Sequence, residues 1–263
     1  MVMDIKPVIV QALFDIKRDK WNHFTMSYHT YLHWMRNVLS LDNPIVIYTE
    51  EKFFKAIFDN RKVFDPKMEK TRIIVQETKD LTAYKLFYKR LDKLMQTQEF
   101  KGNAHFDVPE MTKPLYNTIM FNKLYWLRHA RDSNFFNGNV YVWKDAGTYR
   151  EELELYAHKK WPDPKKIDMS QPTFFSHHEE ISIHNIKHHA FSQMRFIHGT
   201  CFFVPNDSLD YLISEMEYTI DESLKQQYIG SDEKMFDITY LRAPQNYKLI
   251  KSNWREYFPL FSW

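Results

Sequence analysis

The chain has 263 residues, 44% hydrophobic and 17% aromatic, enough apolar material for a sizeable core and too much for a disordered polypeptide. A formal net charge of +2 excludes a nucleic-acid-sized basic face, and a single cysteine, Cys201, excludes an internal disulfide or a zinc knuckle. Only five glycines are present, with no G-x-G-x-x-G and no G-x-x-x-x-G-K-[ST], so neither the dinucleotide fingerprint nor the P-loop applies.

Residues 7–14, PVIVQALF, form a continuous apolar run that suits a strand buried on both faces. Asp15 and Lys17 break the N-terminal apolar stretch, and no small-residue cleavage site follows, so it reads as a strand and not as a signal peptide. No apolar run approaches the roughly 20 residues that span a bilayer, and a cytoplasmic protein with at most peripheral membrane contact is expected. Phe24, Tyr28, Tyr31, Leu32, Met35 and Val38 then recur at helical spacing. The segment 42–44, DNP, breaks that helix ahead of a second strand, IVIYTE (45–50), and a short helix over EEKFFKAIFDNR. TRIIVQET (71–78) is a third strand, which completes a β-α-β-α-β pattern of parallel strands and crossovers.

A helical zone over 80–99 ends at a polar turn, 101–103, and the apolar spacing at 115, 119, 120, 124 and 127 predicts one helix over 113–133. Its basic and aromatic neighbour KLFYKRLDKL has helical spacing, which favours a packed helix over a nucleic-acid face. NGNVYVWKDAG supplies a turn and a fourth strand. WPDPKK is a proline-pinned loop, the histidine-rich 172–191 segment holds short strands or loops, and MRFIHGTCFFVP is a further strand that buries Cys201. Two late helices follow, one opened by Asn206 or Asp207 and one behind Ser231 and Asp232. The aromatic C-terminus NWREYFPLFSW is expected to pack back on the domain. With no Gly/Ser-rich linker, a single α/β domain over 1–263 is expected.

Ligands of open parallel sheets bind beyond the carboxyl ends of the strands. Three polar stretches lie there: FDIKRDKW after the first strand, YTEE with Tyr48 and Thr49 after the second, and KDAG after the fourth. Ala146 and Gly147 leave backbone room beside Asp145, whose carboxylate can hold a divalent cation or a sugar hydroxyl. Asp-x-Gly is also ordinary turn chemistry, Asp15 and Arg18 also read as a surface ion pair, and Trp21 as a core anchor. His177, His178, His184, His188 and His189 raise a zinc site and a metallohydrolase as a further reading, but H-E-x-x-H is missing and the Ile-x-Ile alternation there argues against a helix. His198, ahead of Gly199, is the one histidine expected to touch substrate.

The ordered set ALFDIKRDKW, LSLDNPIVIYTE, YNTIMFNKLYWL, YVWKDAGTYRE and GSDEKMFDITYLRAP resembles the bacterial HtrL/YibB-like (WlaTC/HtrL) family of glycosyltransferases of the GT-A type, over nearly the whole chain. The resemblance implies a GT-A-like (Rossmann-like), mostly parallel sheet flanked by helices, with a nucleotide-binding half over about residues 1–150 and an acceptor half over about 151–263. It implies transfer of a hexose or pentose from a nucleoside-diphosphate sugar, a uridine one by the family's habit, to a glycan acceptor, with Mn²⁺ or Mg²⁺ as cofactor. It places Asp15, Arg18 and Trp21 beside the nucleotide and Asp145 at the first acid of an Asp-x-Asp position, as the metal ligand. The chain departs from that pattern at Gly147, which replaces the second acid, and at Lys17, which stands where the family often has glycine. Gly147 keeps open a non-catalytic nucleotide- or carbohydrate-binding relative of the same fold. Arg18, Lys123 or Lys144 are candidates to stabilise a departing diphosphate, and Asp232 and Glu233, at the head of a late helix, to act as base on the acceptor hydroxyl. An N-cap role for Asp232 is the plainer alternative.

Overall fold

The computed structural model describes residues 4–104, 108–253 and 255–263. Strands β1 (Pro7–Leu13), β2 (Ile45–Thr49), β3 (Thr71–Val75), β4 (Val140–Lys144), β5 (Thr173–Ser176), β6 (Ile197–Pro205) and β7 (Lys248–Lys251) form one mixed sheet, ordered β3-β2-β1-β4-β6-β5-β7. β6 runs antiparallel to both its neighbours, and the four other pairings are parallel. The GT-A-like, mostly parallel sheet flanked by helices is therefore present. Chain order reverses beside β1, which has β2 on one side and β4 on the other. Such a switch point opens a crevice beyond the strand ends, because the connections leave in opposite directions.

The helices are α1 (Tyr28–Leu39), α2 (Glu51–Lys62), α3 (Lys89–Gln96), α4 (Gln98–Asn103), α5 (Pro109–Thr112), α6 (Pro114–Phe121), α7 (Lys123–Asp132), α8 (Ile186–Phe191), α9 (Leu209–Lys225), α10 (Asp232–Arg242) and α11 (Tyr257–Leu260). Side chains alternate across the sheet, so each strand feeds two cores. Val8, Val10, Tyr141, Trp143 and Phe202 pack on one face with Trp126 of α7 and Phe236 of α10. Ile9, Val142, Cys201 and Phe203 pack on the other with Met35 of α1, Ile57 of α2 and Tyr257 of α11. Burial on both faces is why these strands read as unbroken apolar runs.

Arg61 is sealed inside, its guanidinium donating to the carbonyls of Leu39, Leu41 and Asn43 at 2.5–2.9 Å and to Thr71 Oγ1 at 2.8 Å. It ties the end of α1 to α2 and β3. Arg61→Met should lower stability by about 3 kcal/mol, since it strands several buried acceptors at once; urea denaturation would check this.

Several boundaries differ from expectation for local reasons. The helix expected over 113–133 is divided at Asn122, whose side chain accepts from the Ala83 N–H at 3.0 Å and holds the break. The expected turn at 101–103 is the last turn of α4, which Thr97 caps. Part of the histidine-rich segment is helical after all: the Asn185 side chain accepts from His188 N and starts α8. Ser208 precedes α9 in place of Asn206 or Asp207, and Ser231, not Asp232, caps α10. β7 was not anticipated; it is a short edge strand beside β5. The C-terminal aromatics pack back as expected, with Tyr257 and Phe261 buried.

Candidate active site

A cleft of about 320 Å³ lies over the switch point. It is lined from β1 and the following loop by Ala12, Phe14, Ile16 and Arg18, and from α1 by Tyr28, Tyr31 and Trp34. Lys123, Asp145, Gly199, Asp232 and Glu233 form its floor. The size falls in the range of small-molecule sites.

Lys123 is the hub of the floor. The break at Asn122 makes it the first residue of α7, and its buried side chain reaches the end of β4 and Gly199 of β6. Its ammonium donates to Asp232 Oδ2 at 2.7 Å and to Gly199 O at 2.9 Å, and lies 3.0 Å from Asp145 Oδ1. Burial alone would lower its pKa, but the Asp145 and Asp232 carboxylates outweigh that and hold it above the usual lysine range. Asp145 Oδ1 also accepts from Trp143 Nε1 at 2.6 Å, and the Asp145 N–H donates to Thr200 O at 2.9 Å. Asp232 is free to meet Lys123 because Ser231 takes the capping role.

Glu233, the next residue, faces the cleft. Its Oε1 accepts from Gly199 N at 3.3 Å, and its Oε2 lies 3.3 Å from an Arg195 guanidinium nitrogen. Burial and the neighbouring Asp232 charge push this carboxyl up to about 7, in reach of both protonation states near neutral pH.

At the mouth, Arg18 donates to Phe24 O at 3.1 Å and to the Tyr31 hydroxyl, and lies 5.4 Å above the Tyr31 ring. Arg150 lies 4.2 Å above the Trp34 ring and donates to Gly147 O at 2.9 Å. The cleft thus has an aromatic wall, two mouth cations and a floor of three acids met by the Lys123 ammonium and the Arg195 guanidinium.

Of the residues singled out in the sequence, Arg18, Lys123, Asp145, Ala146, Gly147, Asp232 and Glu233 line this cleft together. Asp15 does not. Its carboxylate is taken up by the Tyr28 hydroxyl (2.7 Å), by Lys17 N (2.7 Å) and Nζ (2.8 Å), and by Lys52. Burial would raise its pKa, but these lysine and tyrosine hydrogen bonds hold it well below the usual carboxylate range. Lys17 has φ 59°, the left-handed region that favours glycine, so the lysine replaces glycine at a strained turn that presents Arg18. Trp21 is buried outside the cleft, bonded through Nε1 to Ile16 O and edge-on to Tyr116.

Tyr48 and Thr49 are corrected to core residues. β2 is interior to the sheet, so the Tyr48 hydroxyl meets His129 Nδ1 and Thr49 Oγ1 donates to Leu13 O. Lys144 is likewise corrected: strand alternation turns it away from Trp143 to the opposite core, where its ammonium sits 4.0–4.8 Å from the rings of Tyr149, Trp161 and Tyr257. His198 does not line the cleft itself but, with His177, an adjoining pocket that shares Gly147, Arg150 and Glu233 with it, and its Nδ1 lies against the Tyr257 hydroxyl. Burial and the nearby His177 push it down to about 3, so it is neutral. His189 is a core residue bonded to Asp237. Among the described residues no three His, Cys, Asp or Glu side chains are grouped to hold a metal ion.

Tyr31, Trp34, Trp143, Arg150, Arg195 and Gly199 were not assigned to the site from sequence. Gly199 carried a signal: an isolated glycine inside an apolar strand marks a close approach. The arginines carried none.

A family model described as "Bacterial protein of unknown function (HtrL_YibB)" matches residues 6–263. The chain belongs to the HtrL_YibB family. No curated protein matches this HtrL_YibB sequence. Among solved structures, mouse xyloside xylosyltransferase 1 in its apo form is similar at 9% identity and TM-score 0.44, covering 94% of this chain and 85% of that one. A glycosyltransferase involved in glycosylation of the major capsid of PBCV-1 is similar at 11% identity and TM-score 0.42, covering 94% and 82%. The 4-diphosphocytidyl-2C-methyl-D-erythritol synthase of Anaerococcus prevotii is similar at 7% identity and TM-score 0.41, covering 95% and 88%. Among the described residues no helix is long and apolar enough to cross a membrane.

Proposed function

We propose that this HtrL_YibB protein is a glycosyltransferase that moves a hexose or pentose from a nucleoside-diphosphate sugar, a uridine one, to a hydroxyl of a glycan acceptor, and that it works in the cytoplasm. The observation that carries this reading is the convergence of Arg18, Asp145 and Glu233 on one cleft at the switch point. Arg18 and Arg150 face the mouth, where they would bind the diphosphate and stabilise its charge as it leaves. Tyr31 and Trp34, whose rings meet edge-on at 82°, give an aromatic surface for the base. Lys123 fixes the Asp145 and Asp232 carboxylates, so the floor keeps its shape during reaction.

Glu233 is the proposed base. As the acceptor oxygen bonds to the anomeric carbon, its proton passes to a Glu233 oxygen. The bond from that carbon to the diphosphate breaks, and the electron pair leaves with the phosphate. The hydrogen bond from Gly199 N and the ion pair with Arg195 keep the carboxylate aimed into the cleft.

Ligand-dependent thermal melting tests the proposal. UDP at about a hundred times its Kd should stabilise the fold by about 2.7 kcal/mol, or raise Tm by about 5–10 °C. Failure of UDP, GDP and CMP alike to shift Tm would refute it. UDP binding with no turnover of any UDP-sugar would favour the non-catalytic relative that Gly147 suggests.

A further inference from the structure

We propose that the cleft binds its nucleoside diphosphate without a divalent cation, because the Lys123 ammonium already occupies the place between the carboxylates where such an ion would sit. This rests on reading the cleft as a donor site. Asp145 and Asp232 are the two acids a cation would bridge, and Lys123 bridges them at 3.0 and 2.7 Å. A third contact, to Gly199 O at 2.9 Å, completes the three donors of an ammonium group, and the side chain is buried. Asp145 Oδ1 is further engaged by Trp143 Nε1 at 2.6 Å.

Mn²⁺ and Mg²⁺ take about six oxygen ligands in a compact shell. An ion on Asp145 Oδ1 or Asp232 Oδ2 would press against a fixed positive charge.

A second acid at position 147 would also crowd the α1 wall, whose rings would have to give by a few tenths of an ångström. A Cβ added at Gly147 would lie 3.2 Å from Tyr31 Cε1 and 3.3 Å from Trp34 Cε3. Glycine there lets the aromatic wall of α1 close on the β4 loop, so the second ligand has been exchanged for that wall. The charge a metal would bring to the diphosphate comes instead from Arg18 and Arg150 at the mouth. The floor lysine is the resident cation, present whether or not donor is bound.

Manganese EPR on the chelator-treated protein tests this independently of activity. The wild type should take up no stoichiometric Mn²⁺ at about 100 μM, with or without UDP, and its UDP affinity by calorimetry should change less than about threefold between EDTA and Mn²⁺. Lys123→Met frees two carboxylates and should gain at least about tenfold in Mn²⁺ affinity. One Mn²⁺ bound tightly by the wild type and lost in Asp145→Asn would overturn the proposal, and this arm needs no variant of Lys123. The two readings fail separately: no nucleotide binding and no Mn²⁺ uptake removes the donor site but keeps the lysine as resident cation. UDP binding that tightens about tenfold or more with Mn²⁺ keeps the donor site and removes the lysine's role.

Discussion

Glu233→Gln should lower sugar transfer by about 10²- to 10⁴-fold while UDP binding changes little, because glutamine keeps the shape but cannot accept the acceptor proton. The contacts that aim the side chain go to different oxygens, Gly199 N to Oε1 and Arg195 to Oε2; the single amide oxygen of glutamine keeps one of them and gives up the other. The loss should therefore fall on kcat, with KM for the donor nearly constant. The pH profile adds a second check. With Glu233 at about 7, the wild-type rate should fall about tenfold per unit on the acid side and level off above neutrality, since the base must be deprotonated. Stability runs the other way. The folded carboxyl binds its proton more tightly than the ordinary value of 4.5, so this group's favourable contribution is full below about pH 4.5 and is lost as pH rises through about 7. Glu233→Gln should remove both dependences. A flat wild-type profile from pH 5.5 to 8 would exclude Glu233 as the base.

The sheet was readable because β1, β2 and β4 are buried on both faces and carry uninterrupted β-branched and aromatic runs. Elements set by a single distant contact were not. The break at Asn122 depends on the N–H of Ala83, thirty-nine residues earlier, which no local pattern encodes. α8 is six residues long and starts at a capping asparagine, too short for a period to show against the alternation before it.

The site divides in the same way. Asp145, Arg18 and Asp232 could be located because each follows a strand or opens a helix, where ligands of this sheet type bind. Tyr48 was placed there by the same rule. It failed because the end of β2 lies one strand away from the switch point, where the side chain turns into the core beside Trp126. Arg195 belongs to the site only because β6 runs antiparallel and returns its N-terminal end to Asp145. That pairing direction cannot be read from an apolar run.

Gly199→Ala should reduce transfer by about 10²-fold with one added methyl, because small misplacements of catalytic groups carry penalties of that order. The new Cβ would lie 2.3 Å from Asp232 Oδ2, 3.0 Å from Asp232 Cγ and 3.1 Å from Glu233 Cγ. Asp232 cannot swing aside, since Lys123 grips the same oxygen and Asp145 on its far side is itself held by Trp143. The start of α10 must move, and Glu233 moves with it. Overpacking of this kind costs about 1–3 kcal/mol, so the variant should still fold, with melting lowered by several degrees. Its UDP affinity should stay within about threefold, as Arg18, Arg150 and the α1 aromatics do not depend on this contact. Gly102→Ala is the matched control: the position lies in α4 with nothing within 4 Å of the added methyl, and full activity is expected. Wild-type turnover in Gly199→Ala would show that the two acids of α10 do not have to stand where the strand glycine allows them, and would remove Glu233 from the reaction centre.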